Sequence, residues 1–134
     1  MANVRFYSLA EARALLPRVI PILEATRAAF LELRALNAAI AAHQRGATGD
    51  GALLADPWSE SGGANRVEEL GQQLREQVGR LAAWGIELKD PERGLIDFNH
   101  ERDGERVYLC YMLGESDISY WHTLAAGFAG RQPL

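Results

Sequence analysis

Residues that can bind metals or take part in catalysis are concentrated in the last third of the chain. They are Asp97, Cys110, Glu115, Asp117, His122 and Arg131. Carboxylate and imidazole groups together suit a divalent transition metal held by two or three protein ligands. We therefore consider a metal site formed by Asp97, Glu115 and His122. Their spacing matches no established metal-binding signature, and it identifies no enzyme class.

Each of these residues also has a structural interpretation. Asp97 and Glu115 would hold turns or pair with arginine, and His122 would be a hydrogen-bonded residue at the end of a strand. A further alternative makes Cys110 a nucleophile with His122 as its base. A single cysteine in a strand is more often a small buried apolar residue, and one cysteine excludes an intrachain disulfide.

The segment from Gly127 to Arg131 combines flexible backbone with a guanidinium group. Exposed backbone N–H groups and an arginine can together hold a phosphate or a carboxylate. Arg131 is therefore a candidate anion-binding residue. In the structural alternative, Gly127 and Gly130 shape a tight turn, and Arg131 pairs with Asp97 or Glu115.

A small antiparallel sheet must position these side chains. Residues 95–98 and 107–113 have the composition of strands, and Asp103-Gly104 between them is a strong two-residue hairpin signal. Residues 118–122 predict a third strand. A short segment at 87–89 would add a fourth, so the sheet has three to four strands.

The hairpin turn fixes which side chains share a face of the sheet. It places Asp97 opposite Cys110, and continuing the pairing through the following loop places His122 near Leu109, on the face opposite Asp97. One face carries apolar residues that we place on the helices: Ile96, Phe98, Val107, Leu109, Tyr111 and Leu113. The other face is too apolar to be left in water, so the C-terminal segment or a second subunit covers it.

The first half of the chain predicts a long helix. Ser8 and Glu11 form a capping-box pattern at its start. Apolar residues then recur at alternating steps of three and four from Leu9 to Ile40, which is the pattern of a coiled coil or a helix packed lengthwise on a partner. Pro17 and Pro21 predict a kink or a break near residues 15–17.

A second amphipathic helix predicts a helical hairpin over about residues 8–85, with Gly85 as the C-cap glycine. The two helices would be antiparallel and joined by a mobile loop at residues 46–63. Thr26 and Asn37 are polar positions on the seam of the long helix. Such residues fix alignment between packed helices, so we also consider a homodimer.

Composition limits the function classes. The chain has 134 residues, which suits one domain spanning 1–134, and 48% of them are apolar. A net charge of −4 argues against nucleic-acid binding, which depends on neutralising phosphates. No apolar run reaches the roughly 20 residues of a membrane helix, and the N-terminus has no apolar signal core. We expect a cytoplasmic protein that does not bind membranes.

Three blocks of sequence carry a family resemblance. They are Phe6-Tyr7-Ser8-Leu9-Ala10-Glu11-Ala12 with Leu15-Leu16-Pro17; Lys89-Asp90-Pro91 with Gly94-Leu95-Ile96-Asp97-Phe98; and Leu109-Cys110-Tyr111, Gly114-Glu115, Tyr120-Trp121-His122 and Gly127-Phe128-Ala129-Gly130-Arg131-Gln132-Pro133. Together they resemble the prokaryotic family catalogued as domain of unknown function 2203. The resemblance implies a small bacterial domain and brings no established activity, cofactor or catalytic residue.

The sequence thus predicts an α+β fold in which a long kinked helix and an antiparallel second helix pack on a small antiparallel sheet. The first functional interpretation is a non-enzymatic interaction or assembly module that binds a protein partner or a second copy through its helical hairpin. The alternative is a protein that binds a metal or a small anion at a site in the C-terminal sheet region. A catalytic role for that site is part of this alternative.

Overall fold

The computed structural model describes residues 4–46 and 63–134 and has the predicted α+β class. Helix α1 spans Leu9–Gly46, and helix α2 spans Gly63–Ala83. The strands are β1 (Ile86–Asp90), β2 (Leu95–Arg102), β3 (Glu105–Met112), β4 (Tyr120–Thr123) and β5 (Gln132–Pro133). They form one antiparallel sheet in chain order, so β5 adds a strand to the predicted set.

The capping box at the start of α1 is confirmed. The backbone N–H of Ser8 donates to the Glu11 carboxylate over 2.9 Å, and the N–H of Glu11 donates to Ser8 Oγ over 3.1 Å. These two bonds satisfy donors that a helix N-terminus leaves without partners. No helix in the described part of the chain is long and apolar enough to cross a membrane.

Helix α1 runs unbroken through both prolines, so of the kink or break predicted near residues 15–17 the break is absent. Pro17 and Pro21 lie on the exposed side of the helix, while Leu16, Val19 and Ile22 between and beside them are buried. The carbonyl groups that lose their N–H donors to the prolines therefore face solvent, where water can donate hydrogen bonds to them. Burial of the opposite side holds the helix together through the prolines.

Contacts at both ends of the hairpin show that α1 and α2 are antiparallel. Near the start of α2, the Arg66 guanidinium pairs with Glu32 of α1 over 2.6 Å. At the other end, the Tyr7 hydroxyl donates to the carbonyl of Trp84 in a short hydrogen bond. Gly85 ends the hairpin with a φ of 73°, as expected for a C-cap glycine. Most of the loop predicted at 46–63 lies outside the described residues.

The β2–β3 hairpin has the predicted turn and register. Asp103 and Gly104 have φ values of 53° and 80°, which suit a two-residue turn of the primed type. Asp97 lies opposite Cys110, and Phe98 lies opposite Leu109. The faces of β2 and β3 are therefore assigned as the sequence predicts.

The sheet is buried on both faces. Its inner face packs on the first half of α1 in one apolar core that includes Ala12, Leu16, Val19, Leu23, Ile96, Phe98, Leu109 and Tyr111. On the outer face, Tyr108 and Asp97 line a cavity together with Leu124 and Phe128. Thus the C-terminal segment covers the outer face, which was one of the two predicted coverings.

The segment before α1 and the first turns of α1 are tied to the sheet by polar contacts. The N–H of Tyr7 donates to the carbonyl of Asn99 over 2.8 Å, and His100 Nδ1 lies 2.7 Å from the Tyr7 carbonyl. The Arg13 guanidinium donates to the carbonyl of Ile118 over 2.8 Å. These bonds fix α1 relative to β2 and to the segment that leads into β4.

Gly94 offers a test of the packing between the start of β2 and the end of β3. Its φ is +63°, and an added Cβ would lie 2.4 Å from Leu113 Cδ1, whereas Gly104 at φ +80° faces open space. A positive φ costs an alanine about 1–2 kcal/mol, and overpacking adds about 1–3 kcal/mol. Gly94→Ala should therefore lower the free energy of unfolding more than Gly104→Ala, as measured by urea denaturation. Equal losses would mean that Leu113 moves aside without cost.

Candidate functional site

Three adjacent strands bring Asp97, Cys110 and His122 together on the outer face of the sheet. Asp97 of β2 pairs with Cys110 of β3, and His122 of β4 pairs with Tyr108 of β3. One potential ligand atom from each of the three residues lies within 4.8 Å of the others, and all three are buried. The cluster is thus assembled by strand pairing alone.

The predicted position of His122 was wrong by one residue. Continuing the hairpin register placed His122 near Leu109, on the sheet face that does not carry Asp97, but Trp121 pairs with Leu109 and His122 pairs with Tyr108. The loop between β3 and β4 does not continue the ladder. Side chains fold back onto it instead: Glu115 accepts from the N–H of Met112, and Asp117 accepts from the N–H of Ile118. This irregular loop changes the parity of β4 and moves His122 to the face of Asp97.

Both ring nitrogens of His122 have partners. Nδ1 lies 2.8 Å from the carbonyl oxygen of Thr123, and Nε2 lies 2.9 Å from Asp97 Oδ1. A carbonyl oxygen only accepts, so Nδ1 carries a proton and points Nε2 at Asp97. A hydrogen bond between Nε2 and Oδ1 then needs one further proton, on either the imidazole or the carboxyl group. The pair is neutral overall in both arrangements.

The surroundings oppose charge on Asp97 and on Cys110. Burial raises the pKa of Asp97, while the neighbouring His122 acts in the opposite direction. Burial, and then the nearby Asp97 carboxylate, raise the pKa of the Cys110 thiol to about 12. At neutral pH the metal-free thiol is therefore protonated, which argues against the Cys110 nucleophile considered from the sequence.

Glu115 and Arg131 form a separate pair next to this cluster. Glu115 Oε1 accepts from the N–H of Met112 over 2.7 Å, and Oε2 accepts from Arg131 in a short contact. The Arg131 side chain is only 10% exposed, and its guanidinium lies 3.9 Å from the ring centre of Tyr120. This arrangement matches the structural alternative for both residues. Within the described residues, Arg131 Nε has no hydrogen-bond partner.

A cavity of about 190 Å³ opens onto the cluster. Asp97 and His122 form part of its lining, with Lys89 and Tyr108 from the sheet and Phe128 from the C-terminal segment. The His122 and Tyr108 rings lie 5.3 Å apart. An occupant of this cavity would therefore contact the buried polar pair directly.

The structure brings together two of the three residues predicted to bind a metal. Asp97 and His122 are in contact, whereas Glu115 is engaged by Arg131 and the backbone. Sequence reasoning missed Cys110 as a member of the metal-binding set, although the predicted pairing with Asp97 already placed the thiol beside that carboxylate. It also missed Lys89, whose position depends on the pairing of β1 with β2.

The buried pair makes a prediction about stability in metal-free protein. Asp97→Ala leaves His122 Nε2 buried without a partner and should lower the free energy of unfolding by up to about 3 kcal/mol. Asp97→Asn keeps the shape and can donate an N–H to Nε2, so its loss should stay near 1 kcal/mol. Urea unfolding with a chelator present measures both. Equal losses would show that the pair needs the carboxylate charge and exists as imidazolium and carboxylate.

Comparisons with known proteins identify the chain at the level of a family. No curated protein and no solved structure matches it. A family model described as "Uncharacterized conserved protein (DUF2203)" matches residues 5–134. The match includes all three sequence blocks that carry the resemblance. The chain therefore belongs to the DUF2203 family of uncharacterized conserved proteins.

Proposed function

We propose that the protein binds a divalent transition metal of the zinc type through Asp97, Cys110 and His122. The observation that carries this proposal is the meeting of three buried potential ligand atoms within 4.8 Å of one another. Carboxylate, thiolate and imidazole are all established zinc ligands. Because the free Cys110 thiol must remain reduced to bind a metal, the proposal agrees with the cytoplasmic location expected from the sequence.

The geometry of His122 supports the proposal. Histidines that bind metals usually donate their second ring N–H to a carbonyl or carboxylate, which fixes the ring orientation. His122 Nδ1 does this with the Thr123 carbonyl over 2.8 Å, so the lone pair of a neutral imidazole points from Nε2 into the cluster. Ligand atoms around tetrahedral zinc lie about 3.4–3.7 Å apart. The 2.9 Å between Nε2 and Asp97 Oδ1 would widen by only roughly half an ångström.

Charge balance also supports a divalent ion. An ionised Asp97 and a Cys110 thiolate carry two negative charges, which is unfavourable in a buried site. A divalent cation neutralises both and lowers the pKa of the thiol that binds it. Without a metal, the three side chains are neutral overall only if the Cys110 thiol is protonated and Asp97 and His122 share a proton. The metal therefore replaces protons without changing the net charge of the site.

We propose Cys110 rather than Glu115 as the third ligand. Both Glu115 oxygens already accept hydrogen bonds, from Met112 and Arg131. Binding a metal through Glu115 would break the contact with a guanidinium that is nine-tenths buried. Three protein ligands leave a fourth tetrahedral position, and the adjoining cavity gives small molecules access to it. A metal in such a site can polarise or activate a bound molecule.

Metal content tests the proposal. Untagged protein purified without chelator should contain close to one zinc, iron or manganese ion per chain by mass spectrometry. His122→Ala should lose the ion, because a missing imidazole removes one of three protein ligands. His43→Ala is the matched control, since His43 lies in the last turn of α1. Wild-type protein that is metal-free and takes up no zinc on dialysis would refute the proposal.

Cobalt substitution distinguishes the two ligand sets. A cobalt ion bound to the Cys110 thiolate should give an intense sulfur-to-metal charge-transfer band in the near ultraviolet. Cys110→Ser should abolish this band, while Glu115→Gln should keep it. If cobalt binds with no such band and Glu115→Gln prevents its binding, the original set of Asp97, Glu115 and His122 is correct.

A second candidate function rests on the distal part of the helical hairpin. Beyond Ala29, no described side chain of α1 is fully buried, and the apolar residues Leu33, Leu36 and Ile40 remain partly exposed. Thr26 on the predicted seam is instead inside the chain's own core, where its hydroxyl donates to the Ile22 carbonyl over 2.6 Å. We propose that Leu33, Leu36 and Ile40 form an apolar stripe, the distal stripe, that packs against a second copy of this chain. The heptad pattern of α1 predicts an interaction role of this kind.

Light scattering after gel filtration tests this second role. A dimer should elute with about twice the chain mass of 14.8 kDa. Ile40→Glu places a charge in the stripe and should give monomers, because burying an unpaired charge is costly. Ala38→Glu adds the same charge at an exposed position and should remain dimeric. A wild-type protein that is monomeric at every concentration would exclude the dimer.

A further inference from the structure

The cavity beside the cluster contains the only lysine of the sequence. Lys89 is the single lysine among 14 basic residues, the others being arginine. Its ammonium group lies 3.0 Å from Glu87 Oε1 and 4.7 Å from the ring centre of Tyr108. Burial is the largest single influence and lowers the pKa of Lys89, but the hydrogen bond to Glu87 and the nearby negative charges together outweigh it, and the pKa is raised. The group therefore stays cationic at neutral pH.

The carboxylate of Glu87, which pairs with Lys89, faces two cations. Glu87 Oε2 lies 3.7 Å from the Arg106 guanidinium, in addition to the contact of Oε1 with Lys89. Arg106 also donates to the Asn99 side chain, which carries no charge. Lys89, Arg106 and Glu87, of which only Lys89 lines the cavity, together carry one positive charge in excess.

The cavity floor does not cancel this excess. Asp97 is compensated by the proton it shares with His122 or, if a metal binds, by the metal. The remaining walls are apolar or aromatic, including Leu95, Leu124 and Phe128. A volume of about 190 Å³ is below the roughly 300–1,000 Å³ of pockets for drug-sized ligands, so an occupant has few heavy atoms.

From these observations we propose that the cavity binds a small organic carboxylate. The carboxylate group pairs with Lys89, and a short apolar body lies between Tyr108, Leu124 and Phe128. The inference goes beyond the metal proposal and does not depend on it, because Lys89 and the apolar walls lie outside the metal-binding set. Asp97 and His122 also line this cavity, so a bound metal would lie beside the same occupant.

Propionate and propionamide form a matched pair of probes, since they differ mainly in charge. We expect propionate to shift the backbone amide resonances of Leu124 and Gly127 saturably in nitrogen-15 NMR spectra. Propionamide at the same concentrations should not. Lys89→Met should weaken propionate binding by roughly tenfold or more, because a charge-assisted hydrogen bond is lost. Arg75→Met removes an equal charge from the exposed face of α2 and should leave binding unchanged.

The titrations are run on chelator-treated and on zinc-loaded protein. Binding of propionate in both states, or more tightly with zinc, supports the inference, and binding without any zinc uptake would refute only the metal proposal. Equal responses to propionate and propionamide, or an unchanged affinity in Lys89→Met, would overturn the carboxylate site. Because Lys89 is the only lysine, carbon-13 methylation of its amine also gives one side-chain signal that must move with propionate.

Discussion

Burial of the sheet on both faces is the constraint on which the rest of this structure depends. The inner face meets α1 through apolar side chains, but the outer face carries Asp97 and His122 beneath the C-terminal segment. Buried polar groups are tolerated only when they are paired, and here each of the two partners is supplied by a different strand. The pairing of β2, β3 and β4 therefore has to be correct before the outer face can be covered at all. The register of β2, β3 and β4 thus determines both the pairing of the buried polar groups and the geometry of the candidate site.

The proposed roles use different ends of the molecule. The proposed metal and carboxylate sites lie where the sheet is covered by the C-terminal segment, and the distal stripe of the proposed dimer lies on α1 beyond Ala29, the last buried residue of α1 among those described. The first half of α1 connects them as part of the apolar core. Because that core separates the two regions, ligand binding at the sheet and association through the hairpin can be tested independently with single substitutions.

Sequence reasoning succeeded where local chemistry decides the structure. Asp103-Gly104 admits one hairpin register, and the Ser8–Glu11 box sets the start of α1. It failed where tertiary contacts decide. The break, one of the two outcomes predicted at the prolines of α1, does not occur because the opposite side of the helix is buried, and the position of His122 depends on side-chain bonds in an irregular loop. The one-residue error in the register of β4 also placed Asp97 and His122 on different faces of the sheet. They share a face only in the observed register, so the candidate site could not be predicted.

The contact between Arg13 and Ile118 joins residues 105 positions apart. Synthesis at 5–20 residues per second separates the appearance of these two residues by roughly 5–20 s. Until β1, β2 and β3 have been synthesised, the face of α1 that packs on the sheet lacks its sheet partners. A 38-residue helix with an unsatisfied apolar side is the kind of surface that chaperones bind and that aggregates when crowded. The yield of this protein in a cell would then depend on how quickly its last strands leave the ribosome.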